Sequence, residues 1–165
     1  MNLFESMVEF FTDKSPNYNV EIPEDFKAVL GFLNTIPYIN NGGCAISALA
    51  MYRWLKANNK LGNNTSFYFL EDDEDQHMQN KRCLAIKHGK PTSCDHAVLN
   101  YNGIHIDSRG KYNIHEPYKL EIRDENFIVK AINNIRTWNY FFQREEQIPV
   151  IEMQLGIDLS DIVLE

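Results

Sequence analysis

The fragment Asn40-Asn41-Gly42-Gly43-Cys44-Ala45-Ile46-Ser47-Ala48-Leu49-Ala50-Met51-Tyr52-Arg53-Trp54-Leu55 constrains this chain more than any other stretch. From Cys44 onward it is apolar nearly all the way round a helix, and such a helix belongs inside a fold rather than on its surface. The two glycines form a turn that delivers Cys44 to the first turn of that helix. Unpaired N–H groups at a helix N-terminus carry partial positive charge, which favours a thiolate over a thiol. Cys44 is therefore a candidate nucleophile. The bland reading beside it is a small core residue, the usual role of a cysteine in a buried helix.

A chain of 165 residues, 44% apolar and 24% charged, fits one globular domain that can bury a sizeable core. No apolar run approaches the roughly 20 residues of a bilayer span, so no membrane partner is expected. Met1-Asn2-Leu3-Phe4-Glu5 has neither a basic start nor a signal core. The net charge of −7 argues against nucleic acid as a partner. An odd set of cysteines, Cys44, Cys83 and Cys94, suits free thiols in the cytoplasm better than a disulfide framework.

The apolar spacing predicts an N-terminal helix over 2–12, broken by Pro16, and a second from Pro23 to about Thr35. The helix that begins at Cys44 should stop near Asn58-Asn59. Ser66 to Leu70 is short and aromatic and reads as a strand. Glu71-Asp72-Asp73-Glu74-Asp75 is a solvated, self-repelling loop, with an acidic face for a basic protein surface as the other reading. It lacks the ligand spacing and central glycine of an EF-hand. Residues 76–95 show no readable pattern. His96–Tyr101, Asn102-Gly103 and Ile104–Asp107 form a hairpin signal, with further short strands expected at Tyr112 and over 118–122. A helix should start near Asp124 and run to about Ile135. Trp138, Tyr140, Phe141 and Phe142 read as core, and 149–164 alternates too weakly to assign. Helices followed by a strand-rich middle imply an α+β fold of one domain over 1–165: N-terminal helices over 2–35, a core over 38–122, and a C-terminal helix and tail over 124–165.

With Asn102-Gly103 as the two central turn residues, Tyr101 pairs with Ile104, Leu99 with Ile106 and Val98 with Asp107. One face then carries Ala97, Leu99, Tyr101, Ile104 and Ile106, a core face. The other carries His96, Val98, Asn100, His105 and Asp107. His96 and Asp107 become diagonal neighbours, roughly 7–8 Å apart in backbone, so their side chains can meet. A three-residue loop would put them on opposite faces.

Cys44, His96 and Asp107 would supply an activated thiol: the imidazole takes the proton and the carboxylate fixes the imidazole. Gly42 and Gly43 would let a substrate carbonyl approach the backbone, where the Cys44 N–H could donate to the oxyanion. Asn41 and Tyr38 rank equally as a second donor. Each residue has a plainer role open to it. His96 could be a strand residue bonded to backbone, and Asp107 could cap the turn at Ser108-Arg109-Gly110, with Asp95 as the reserve carboxylate.

Gly42-Gly43-Cys44 opening a buried helix, then Asp95-His96-Ala97-Val98, then Gly103-Ile104-His105-Ile106-Asp107-Ser108, resembles the papain-like cysteine hydrolase superfamily, nearest its transglutaminase-like branch. The resemblance spans roughly residues 38–110. It implies a papain-like/transglutaminase-like fold, with a central buried helix packed on a small antiparallel sheet and extra helices at both ends. It also implies Cys44 as nucleophile, His96 as general base and acid, and Asp107 as the orienting carboxylate. Val98 stands where that family often has an aromatic residue, and the usual tryptophan near the cysteine is absent. These departures bear on substrate class.

Cys94-Asp95-His96 with Cys83, His88 and His77 nearby invites a zinc reading, but the paired spacing of a zinc ribbon is missing and no metal is assigned. His105 reads as a surface histidine, and His115 as a loop residue without a role. Two function classes follow. One is a cysteine hydrolase or acyltransferase (peptidase, amidase or deamidase) acting on a peptide or protein amide or an ester, with no cofactor. The other is a non-catalytic binding or regulatory protein on the same scaffold.

Overall fold

The buried helix takes the central place that its composition demands. A computed structural model describes residues 22–72, 81–135 and 142–164. The helix expected over 2–12, Pro16, acidic residues 73–75, His77, Trp138, Tyr140 and Phe141 lie outside the described residues. Helix α1 spans Glu24–Leu33 and α2 spans Cys44–Ala57. Strand β1 is Thr65–Glu71, followed by α3, Lys81–Lys87. The strands β2 (His96–Tyr101), β3 (Ile104–Asp107), β4 (Gly110–Lys111) and β5 (Tyr118–Ile122) complete one sheet, and α4 (Glu125–Asn134) and α5 (Arg144–Leu155) follow. The sheet order is β4-β3-β2-β1-β5 and every neighbouring pair is antiparallel. The fold is α+β, with five helices and a small antiparallel sheet among the described residues. None of these helices is long and apolar enough to cross a membrane.

Nine of the fourteen residues of α2 are buried, among them Leu49, Met51 and Leu55 with no exposed surface. Burying each of those three stabilises the fold by roughly 1.5–3 kcal/mol. The helix packs on β2 and β3 and is flanked by α1, whose buried stripe is Phe26, Val29, Leu30 and Leu33. Pro23 precedes α1, and Glu24 and Asp25 complement its N-terminal dipole.

The hairpin has the register that its turn predicts: Tyr101 opposite Ile104, and Leu99 opposite Ile106. Asn102 and Gly103 both have positive φ, 52° and 95°, as a type I′ turn requires. The Asn100 side chain locks the turn by accepting the Gly103 N–H at 2.8 Å. Ala97, Leu99, Tyr101, Ile104 and Ile106 are all in the core, as the pleat requires. The opposite face is also closed, since His96, Val98, Asn100 and Asp107 are buried.

Other elements differ from expectation. The short strand near Tyr112 is Gly110–Lys111, although the Tyr112 N–H extends the ladder to the His105 carbonyl at 2.7 Å. The unreadable stretch contains α3, held by only two buried residues, Cys83 and Ile86. The unassigned tail is α5 up to its left-handed cap at Gly156 (φ 67°). Pro149 sits inside α5 and hides it from pattern reading, yet Ile148 and Ile151 anchor the helix in the core.

Gly42 and Gly43 have different physical reasons to be glycine. Gly42 has φ 111°, a backbone that side chains rarely adopt. At Gly43 an added Cβ would lie 2.6 Å from the Phe142 ring and 2.9 Å from the Ile39 carbonyl. Gly43→Ala should therefore cost about 1–3 kcal/mol through overpacking at the head of α2. A urea midpoint equal to that of the parent protein would contradict this packing.

Candidate active site

The β2–β3 ladder ends at Leu99 and Ile106. Past that point the first residue of α2 meets the start of β2, and the Ala97 backbone N–H hydrogen-bonds to the Cys44 sulfur. His96 lies beside it. Its Nε2 is 3.0 Å from Asp107 Oδ2, so the other ring nitrogen, Nδ1, serves the hydrogen bond to Cys44. The structure thus brings Cys44, His96 and Asp107 together: His96 is bonded to Asp107 and acts on the Cys44 thiol, and all three residues are less than 10% exposed.

Asp107 fills both roles open to it. Oδ1 accepts the Arg109 backbone N–H at 2.8 Å, which closes the turn after β3, while Oδ2 takes His96 and the Arg109 guanidinium at 2.6 Å. Asp95 is engaged elsewhere: Arg82 grips it with both terminal nitrogens, and it also accepts the Asp72 N–H. The loop before Cys44 is tied to the same strand end, because Asn40 Nδ2 donates to Ser108 Oγ at 2.7 Å and Ser108 donates to Asn34 Oδ1 at 3.1 Å.

Burial disfavours every charge here, and hydrogen-bonding partners overcome it. For Cys44, the hydrogen bond from Cys94 is the largest influence; with the His96 contact it outweighs burial and holds the thiol well below its ordinary range. Burial would lower His96, but Asp107 and Cys44 raise it to about 9. Burial would raise Asp107, but His96 and Arg109 hold it at about 2. The arrangement favours a thiolate beside an imidazolium and a carboxylate. Cys83 is the contrast: burial and Glu71 push its thiol up to about 12.

A cleft runs along the head of α2. Asn41, Gly42, Cys44, Arg82, Ser93 and Cys94 are among the residues that line it. The cavity volume is about 210 Å³, smaller than the roughly 300–1,000 Å³ of drug-sized ligand pockets. Tyr38 and Gly43 lie outside the cleft wall; Tyr38 is half exposed in a left-handed conformation, φ 60°. No side chain caps α2, as Gly43 occupies the cap position. The N–H groups of its first turn are thus left without that side-chain partner.

Sequence reasoning missed four neighbours of the site. Cys94 was weighed only for zinc, although it stands two residues ahead of His96, the spacing that puts side chains on one side of an extended chain. Arg109 braces Asp107. The Tyr112 ring lies 4.7 Å from the His96 ring, held by its hydroxyl donating to Glu116 at 2.6 Å. Arg82 closes the cleft wall from α3. His105 stacks edge-on against Tyr68 at 4.9 Å. Cys83, Cys94 and His88 form no cluster with metal-ligand spacing. Among the described residues Asp72, His115 and Glu116 bring ligand atoms within 4.8 Å of one another. Comparison with protein-family models, with curated proteins and with solved structures finds no match to this chain.

Asp107→Asn removes the carboxylate that charges His96. The imidazole titration midpoint, followed by NMR, should fall from about 9 by at least about one unit. An unmoved midpoint would show that Asp107 does not act on the ring. Because the His96 pKa is raised on folding, its contribution to stability is whole below about 6.5 and is lost as pH climbs through about 9. Urea midpoints should decline across that alkaline window, and less so in Asp107→Asn.

Proposed function

We propose that this protein is a cysteine-dependent hydrolase or acyltransferase that acts on an amide or ester through a thioester on Cys44. The observation that carries the reading is the His96–Asp107 pair, bonded at 3.0 Å, set beside a cysteine at the head of a buried helix whose thiol His96 draws down. A buried cysteine of purely structural role has no need of an imidazolium, whereas a nucleophile at neutral pH does. The order of these residues, and a buried helix headed by the cysteine against an antiparallel sheet, support a papain-like, transglutaminase-like scaffold.

The chemistry follows from the geometry. The Cys44 thiolate attacks the carbonyl carbon of a substrate in the cleft. The developing oxyanion lies near the unfilled N–H groups of the first turn of α2, including that of Cys44. Asn41, on the cleft wall, is placed to assist. Nδ1 of the His96 imidazolium gives its proton to the leaving amine or alcohol, which leaves a thioester. Neutral His96 then takes a proton from water or an acceptor amine as that group attacks the thioester. Asp107 keeps the ring orientation throughout and stabilises its cationic form. A peptide or protein amide is the favoured substrate class, and none of these steps calls on a cofactor.

Iodoacetamide at about pH 6 should alkylate Cys44 at least ~10-fold faster than Cys83 or Cys94, because an ordinary thiol is scarcely ionised there. His96→Ala should abolish the difference. With p-nitrophenyl acetate the protein should release a burst of nitrophenolate and carry an acetyl group on the Cys44 peptide. Equal, slow labelling of all three thiols and no acyl adduct would sink the enzyme reading in favour of a binding protein on the same scaffold.

A further inference from the structure

The acyl-transfer chemistry leaves one cleft residue unused. Cys94 stands at the approach to β2, two residues before His96, and the two thiols act on each other's ionisation, Cys44 drawn down and Cys94 pushed up. Both cysteines are free thiols, and both line the same open cleft. Cys83 is also a free thiol, but its sulfur contacts the Phe69 carbonyl at 3.9 Å and it is absent from the cleft wall. Two free thiols lining one cleft, one of them favoured as thiolate, form a redox pair that amide chemistry does not require.

We infer that Cys44 and Cys94 form a reversible disulfide, with hydrogen peroxide or an organic hydroperoxide as oxidant and Cys94 as the resolving thiol. The Cys44 thiolate attacks one peroxide oxygen. The O–O bond breaks, Cys44 becomes a sulfenic acid, and the departing hydroxide or alkoxide is protonated to water or alcohol. Cys94 sulfur then attacks Cys44 sulfur, the S–O bond breaks, and the departing hydroxide leaves as water with the Cys94 proton. Two thiols lose two electrons in total, and the peroxide gains them. A dithiol reductant reverses the step and is itself oxidised to a disulfide.

The charge arrangement orders the two steps. In the reduced state the neighbouring thiolate keeps the Cys94 thiol protonated, well above its ordinary range. Oxidation of Cys44 removes that negative charge, so Cys94 ionises more readily once there is a sulfenic acid to attack. The disulfide takes the nucleophile out of service and shields it from irreversible oxidation. That this amounts to switching an enzyme off rests on the hydrolase reading above; the formation of the bond does not.

The test is intact-protein mass spectrometry of the full chain treated with near-stoichiometric hydrogen peroxide. The mass should fall by about 2 Da, as two thiol hydrogens are lost. A non-reducing peptide map should join the Cys44 and Cys94 peptides and leave Cys83 open to alkylation. Dithiothreitol should restore both the mass and the fast reaction of Cys44 with iodoacetamide. In Cys94→Ser, which keeps a hydrogen-bond donor, peroxide raised above two equivalents per protein should instead add about 32 Da at Cys44, a sulfinic acid that dithiothreitol does not reverse. If Cys44 of the parent protein is converted to sulfinic acid as fast as in Cys94→Ser, with no linked peptide, the proposal is overturned. Failure of the two readings is distinguishable. A protein that acylates Cys44 but never links it to Cys94 loses only the switch, and one that forms the disulfide but no acyl adduct loses only the hydrolase.

Discussion

The hydrogen bond between His96 and Asp107 is the constraint on which the site depends, and it exists only because the β2–β3 hairpin closes through two residues. Asn102 and Gly103 both adopt positive φ, which sets the ladder so that the histidine of one strand and the aspartate of the next share a face. A slip of one residue would send them to opposite sides of the sheet. His96 would then share its face with Ile106, and Asp107 would enter the apolar face beside Ala97, so the apolar core and the polar chain enforce one register together. The link from Asn40 through Ser108 to Asn34 ties the cysteine loop to the end of β3. Cys44 and Asp107 are therefore carried by elements tied to each other.

Electrostatics at the site is a contest between burial and partners. Burial pushes each of the three groups toward its neutral form, and hydrogen-bonding partners push each back toward its charged form. The outcome is concerted: removing any one charge leaves its neighbour buried without compensation. The exposed Arg109 guanidinium contributes less than its contact distance suggests, since water screens it. Cys94 belongs to the same contest. As a donor it steadies the thiolate, and as a thiol it is the one neighbour that could bond to it covalently.

The reading of residues reached the helix, the hairpin and the strands because their signals are local. The apolar run from Ala45 to Leu55, the Asn-Gly turn and the aromatic strand at 66–70 each carry a period or a turn type in a few consecutive residues. Helix α3 escaped because two buried residues make no stripe, and α5 escaped because Pro149 interrupts what Ile148 and Ile151 anchor. Gly43 was legible as a glycine that must be small, but its reason was not. It makes room for Phe142, a residue nearly a hundred positions away in sequence.

By itself, the sequence determined an α+β arrangement around a buried helix, and a two-residue turn that puts His96 and Asp107 on one face. Periodicity and turn chemistry act over neighbouring residues, so they can be read without knowing the fold. What only the tertiary structure decided is which groups close around the sulfur. Cys94 donates to it, Asp95 is drawn away by Arg82, Tyr112 packs on the imidazole, and the Ala97 N–H reaches the thiolate past the end of the ladder. Those contacts join segments distant along the chain, and their energies depend on burial and on distances of a few ångströms, neither of which a linear pattern encodes.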